Sequence, residues 1–103
     1  MKKRAFKIEI SAEAENDFDS SYSFYYDENP RLANQFFQRI NTSLESIKIS
    51  PHTFPVVHKN LRKYKVKTFP FVIYYQIDGF EVKVEAIFHT SRNPEIWNER
   101  VGE

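Results

Sequence analysis

The sequence contains no cysteine, which excludes disulfides, thiol nucleophiles and cysteine-ligated zinc and is compatible with a reducing compartment. Its only glycines are Gly79 and Gly102, so it has neither a glycine-rich phosphate loop nor a nucleophile elbow. No apolar run approaches the roughly 20 residues of a membrane span. After Met1-Lys2-Lys3-Arg4 the stretch from Ala5 to Ile10 is short and interrupted by Lys7 and Glu9, unlike a secretory signal. A cytoplasmic protein with no membrane partner is expected. The three histidines lack metal-ligand spacing, so no metal and no cofactor are expected. The most informative absence is of acid: from Ser46 to Ile77 there is no Asp or Glu.

What is present complements that gap. Glu9, Glu13, Glu15, Asp17, Asp19, Asp27 and Glu28 crowd the first third, whereas Lys59, Arg62, Lys63, Lys65 and Lys67 fall in the acid-free stretch. The formal net charge of +1 therefore conceals a dipolar molecule whose basic half suits an acidic partner. Aromatic residues make up 17% of the 103-residue chain, enough large buried units for one core and too short a chain for two. A single domain over residues 1–103 is expected.

The apolar spacing sets the elements. Phe6, Ile8 and Ile10 alternate with Lys7 and Glu9 as in a half-buried strand. Ser11 is an N-cap followed by Glu13 and Glu15 in a first helical turn. The helix carries Ala14, Phe18, Tyr22, Tyr25 and Tyr26 on one stripe, with Asp17 and Asp19 towards solvent and Phe24 off the stripe. Asn29-Pro30 ends that helix and opens a second, whose stripe is Leu32, Phe36, Ile40, Leu44 and Ile47, widened by Ala33 and Phe37. Pro51 stops it, and Pro51 to Asn60 reads as a loop or irregular edge.

Leu61 to Thr68 alternates with Lys63, Lys65 and Lys67 together on one face. After Phe69-Pro70, the strand Phe71 to Ile77 leads to Asp78-Gly79, a hairpin signal. Simple alternation puts Phe80, Val82, Val84, Ala86 and Phe88 inward on the returning strand, with Lys83, Glu85, Ile87 and His89 outward. The expected fold is α+β: a helical hairpin packed on one face of a small, mainly antiparallel sheet, in the order β-α-α-β-β-β with a short C-terminal tail.

The open face of that sheet should carry Lys63, Lys65, Lys67, Tyr74, Gln76, Lys83 and His89. Such a lysine row is either a solubilising face that protects an edge strand, or a surface for a phosphate backbone or acidic chain. Composition does not choose between these. His89 at a strand end suits a general acid or base or a structural hydrogen bond. Arg92 suits a phosphate contact or a carboxylate pair, and Trp97 a tail anchor or an aromatic for a partner.

Taken together, Ser11-Ala12-Glu13-Ala14-Glu15-Asn16-Asp17, Tyr25-Tyr26 before Asn29-Pro30-Arg31-Leu32-Ala33, Phe36, the Ile47 to Pro51 helix end, Phe71 to Tyr75 and His89-Thr90-Ser91-Arg92-Asn93-Pro94 resemble the RelE/ParE superfamily of bacterial toxins. The resemblance spans nearly the whole chain. It implies the toxin of a type II toxin–antitoxin, or plasmid stabilisation, pair, with a cognate antitoxin that covers the basic surface. ParE-like members inhibit DNA gyrase; RelE-like members are endoribonucleases that cut mRNA on the ribosome. Lys65 and Lys67 are similar to the basic strand of the nucleases. Val72, however, stands where their pattern has an Arg, and Trp97 stands nearest to their terminal Tyr. The resemblance thus favours the ParE branch, with Lys63, Lys65, Lys67, Tyr74, Lys83 and Trp97 as partner-binding residues. A metal-independent nuclease, with His89 as acid or base and Arg62, Lys65 and Arg92 on the transition state, is the alternative. A relative retained only as an interaction module is another.

Overall fold

The computed structural model describes residues 6–91. Two helices, α1 (Ala12–Glu28) and α2 (Pro30–Ile49), follow a first strand, β1 (Lys7–Ile10). A 3-10 turn (Pro51–Thr53) then leads to β2 (Val56–His58), β3 (Leu61–Lys65), β4 (Phe71–Asp78) and β5 (Glu81–His89). The five strands form one sheet in the order β1-β5-β4-β3-β2, antiparallel except where β1 runs beside β5. This is the expected α+β arrangement. The segment read as a loop before Leu61 resolves into the 3-10 turn and a short edge strand. No helix among the described residues is long and apolar enough to cross a membrane.

The hairpin of helices is set by two side chains. Ser11 Oγ accepts the Ala14 amide at 3.0 Å, satisfying one of the free donors at the start of α1. Asn29 serves both helices: its amide donates to Tyr25 O, closing α1, while its Oδ1 accepts the Arg31 amide at 3.0 Å, opening α2. Pro30 in the first turn of α2 gives up no hydrogen bond there.

The helices cover one face of the sheet. Phe36 is fully buried at the centre of an aromatic group, with ring centroids 4.8 Å from Phe71, 5.2 Å from Tyr25 and 5.5 Å from Phe69. Ala14, Ile40 and Ile47 from the helices and Ile73, Tyr75, Val82, Val84 and Ile87 from the sheet complete this core. Phe24 and Tyr26 are exposed, so the stripe of α1 ends at Tyr25.

Strand β5 departs from simple alternation. Tyr74 pairs with Ala86 and Tyr75 with Val84, so Glu85 is an extra residue, a β-bulge. Beyond it the faces exchange: Ile87 joins the helix-side core, whereas Ala86 and Phe88 join Leu61, Val72 and Tyr74 on the other face. The expectation that Ala86 and Phe88 point inward and Ile87 outward is therefore corrected. On the β1 side of β5, where the pairing with β1 ends at Val84, α1 and its N-cap supply partners for the backbone. Asp17 Oδ2 accepts the Ile87 amide at 3.0 Å, and the Ser11 amide donates to Val84 O at 3.0 Å. Asp17, expected in solvent, is buried for this purpose. The β4–β5 turn also shifts by one residue. Asp78 pairs with Glu81, leaving Gly79 (φ 62) and Phe80 as the turn, and Phe80 is half exposed rather than inward.

Candidate partner-binding surface

The face of the sheet away from the helices is where the expected site residues divide. On β3 the pleat sends Leu61, Lys63 and Lys65 to this face, and register sets Lys63 directly across from Tyr74 and Lys65 across from Val72. Leu61 is buried, whereas both lysines are exposed. Beside them Val72, Tyr74 and Phe88 form an apolar floor, with Tyr74 and Phe88 edge to face at 5.7 Å. Tyr74 was expected as contact surface, but at 5% exposure it is floor rather than rim. Its burial raises the phenol pKa above the usual value. Lys63, Lys65, Val72, Tyr74, Phe88, His89 and Thr90 line a depression of about 270 Å³.

The row of three lysines is shorter than alternation implies. The strand ends at Lys65. Val66 turns into the helix-side core, Thr68 adopts a left-handed backbone (φ 78), and Lys67 is exposed in the connecting loop rather than on the ladder. Lys83 shares the outer face but lies two strands away, paired with Gln76 of β4 and with Glu9 of β1. Its neighbourhood is mixed in charge, since Gln76 Nε2 also donates to Glu85 Oε2 at 3.2 Å.

Arg62 is on the opposite face from Lys65. It pairs in register with Tyr75, and its Nη1 donates to the carbonyls of His52 (3.1 Å) and Phe54 (2.6 Å). Tyr75, fully buried, donates its hydroxyl to Pro51 O at 2.6 Å. Two side chains thus hold the carbonyls of the segment that leads from α2 into the sheet. Burial pushes the Tyr75 pKa up to about 12, with the Arg62 charge acting in the opposite sense. Arg62 and Lys65, grouped in the nuclease alternative, are not brought together.

His89 closes β5. Its Nδ1 accepts the Ser91 amide at 3.0 Å and lies 2.8 Å from Ser91 Oγ, and its ring stands edge to face with Phe71 at 5.3 Å. A nitrogen that accepts from an amide carries no proton, so in the neutral ring the hydrogen resides on Nε2. Its register partner is Phe71, so it leans to the helix side while also lining the outer depression. Arg92 and Trp97 lie outside the described residues. Among the described residues no group of His, Asp or Glu is clustered to hold a metal ion.

A helical hairpin on one face of a five-stranded sheet, with two exposed lysines beside an apolar floor on the other, defines a small α+β domain with one cationic face. The family model for the ParE toxin of the type II toxin–antitoxin system parDE matches residues 8–94, and the chain belongs to that family. No curated protein matches it. Among solved structures, a chain from the chromosomal ParDE TA system of P. aeruginosa superposes with a TM-score of 0.73. It is 18% identical, and the match covers 82% of this chain and 95% of that one, a likeness of fold.

Proposed function

We propose that this ParE-family protein is a toxin that acts in the cytoplasm by binding and inhibiting DNA gyrase, and that a cognate antitoxin neutralises it. The observation that carries the reading is Val72. Directly across the ladder from Lys65, where the nuclease pattern has a cation, stands a buried aliphatic side chain. Phosphoryl transfer at RNA needs charge aimed at the developing oxyanion, and an isopropyl group supplies none. Arg62 is engaged with two backbone carbonyls on the other face, which also weighs against a cleavage site built with Lys65. What remains on the outer face, two lysines and an apolar floor, suits recognition of another molecule.

Expression without the antitoxin should arrest bacterial growth, and the purified protein should block supercoiling by gyrase while ribosome-bound mRNA stays intact. The double variant Lys63→Ala, Lys65→Ala should fold and lose most of the inhibition. Uninhibited supercoiling combined with cleavage at codon positions would replace this reading with the nuclease. Unperturbed growth would leave an interaction module.

A further inference from the structure

On α2, Gln35, Gln38, Arg39 and Thr42 recur at steps of three and four and so share one exposed face. The loop between β3 and β4 lies against them, and together they enclose a recess of about 440 Å³ whose remaining lining is Thr68 and Phe69. Phe69 is buried, edge to face with Phe36 and Tyr25, and closes the base. Thr68 is exposed like the four residues of α2. Among the described residues the side chains of these five make no hydrogen bond or ion pair with one another or with their surroundings. One guanidinium, two carboxamides and two hydroxyls therefore present their donors to a single space. The charge around it has one sign. Glu45 is the only acid between Glu28 and Asp78, against eight Lys and Arg residues, and the exposed Lys67 directly precedes Thr68 in the loop.

We propose that this recess is a site for the phosphate backbone of duplex DNA. Arginine, glutamine and threonine are side chains that hold phosphate and sugar oxygens. A phosphodiester carries one negative charge, which Arg39 matches, and Lys67 serves the neighbouring phosphate. The lining selects a duplex over a single strand, because single strands are held largely by bases stacked on accessible rings, and the one ring here is buried beneath the polar rim. It selects DNA over an acidic protein segment, because a protein interface is built around an apolar centre, whereas an interface with DNA is polar and cationic. The biological setting rests on the gyrase reading, since that enzyme works on duplex DNA. The recess is on the helix side of the sheet, separate from Lys63 and Lys65 on the outer face.

Fluorescence anisotropy on the purified full-length chain tests this with a labelled short duplex. Arg39→Gln should weaken binding about tenfold and reduce the slope of log affinity against log salt by about one. Thr42→Val should weaken it about fivefold and leave the slope unchanged, because it removes a donor and no cation. Lys48→Gln, which removes a cation of α2 outside the recess, should change affinity by less than about twofold. No duplex binding, indifference to Arg39→Gln or to Thr42→Val, equally tight binding of a single strand of the same charge, or tighter binding of a glutamate-rich peptide would each overturn the proposal. Because the assay contains no gyrase, it can fail while supercoiling inhibition stands, or succeed while that inhibition is absent.

Discussion

The same three strands present two unlike faces. Towards the helices, Phe71, Ile73, Tyr75, Val82, Val84 and Ile87 meet Phe36, Ile40 and Ile47, and the aromatic rings interlock. Away from them, Leu61, Val72, Tyr74, Ala86 and Phe88 make a smaller apolar floor flanked by the exposed lysines of β3. The first face holds the fold, with its side chains buried beneath the helices. The second leaves cations in water where a partner can reach them, and they contribute little to stability. Substitutions should therefore separate the two: large losses of stability without specific loss of binding on one face, the reverse on the other.

The sharpest contrast is Phe36→Ala. Removing the ring at the centre of the aromatic group should cost about 3–5 kcal/mol in urea unfolding, whereas Lys63→Ala or Lys65→Ala should change stability by less than about 0.5 kcal/mol. Comparable losses from the two kinds of substitution would erase the distinction between the faces.

Next is Asp17, which decides which residues belong to which face after the bulge. Asp17→Ala strands the buried Ile87 amide and should cost about 1.5–3 kcal/mol. Asp17→Asn keeps a carbonyl acceptor and should cost less. Amide hydrogen exchange at Ile87 should accelerate in the alanine variant more than at Ile73 in the neighbouring strand. Unchanged protection of Ile87 would show that the bulge is held by other means.

The helical hairpin, the stripe of α2 and the basic outer edge of β3 were legible because each rests on local spacing. Asn29-Pro30 stops one helix and starts the next by rules that involve only neighbouring residues. The face exchange in β5 was hidden because Val82, Val84, Ala86 and Phe88 alternate faultlessly on paper. The available hints were Ile87, which makes Ala86-Ile87-Phe88 a continuous apolar run, and Asp17, three residues after Ala14 and hence on the buried stripe of α1. Recognising their connection requires knowing that residues 70 apart in the chain share a hydrogen bond. For the site, Lys63 and Lys65 followed from the pleat. Grouping Arg62 with Lys65 in the nuclease alternative overlooked the same parity, which puts them on opposite faces, and the hold of Arg62 on the carbonyls of His52 and Phe54 is tertiary.

A smaller effect is expected where the core meets the segment after α2. Tyr75→Phe leaves Pro51 O without its donor and should cost about 1–2 kcal/mol. The same tyrosine gives the fold an alkaline limit. An unfolded phenol ionises near pH 10, whereas Tyr75 is held neutral to about 12. The unfolded chain therefore loses its proton first, and stability present below pH 10 should decline as pH rises from 10 to 12, by on the order of 2 kcal/mol. Burial raises Tyr25 and Tyr74 in the same direction. Tyr75→Phe should flatten this decline, and an unaltered alkaline limb would assign it elsewhere.

The smallest change tests the boundary between the faces, the turn that takes Lys67 off the ladder. Thr68 holds φ at 78, a left-handed conformation in which a β-branched side chain crowds its own backbone at a cost on the order of 1–2 kcal/mol. Glycine removes that strain but loses more backbone freedom on folding, roughly 0.5–1 kcal/mol. The balance predicts that Thr68→Gly stabilises the protein by up to about 1 kcal/mol, seen as a higher urea midpoint with an unchanged slope. If Lys67 contributes to binding, the glycine variant should be more stable yet bind more weakly, because a looser loop holds the lysine less firmly. If stability rises and binding is unaffected, the working cations reduce to the two that remain on the strand, Lys63 and Lys65.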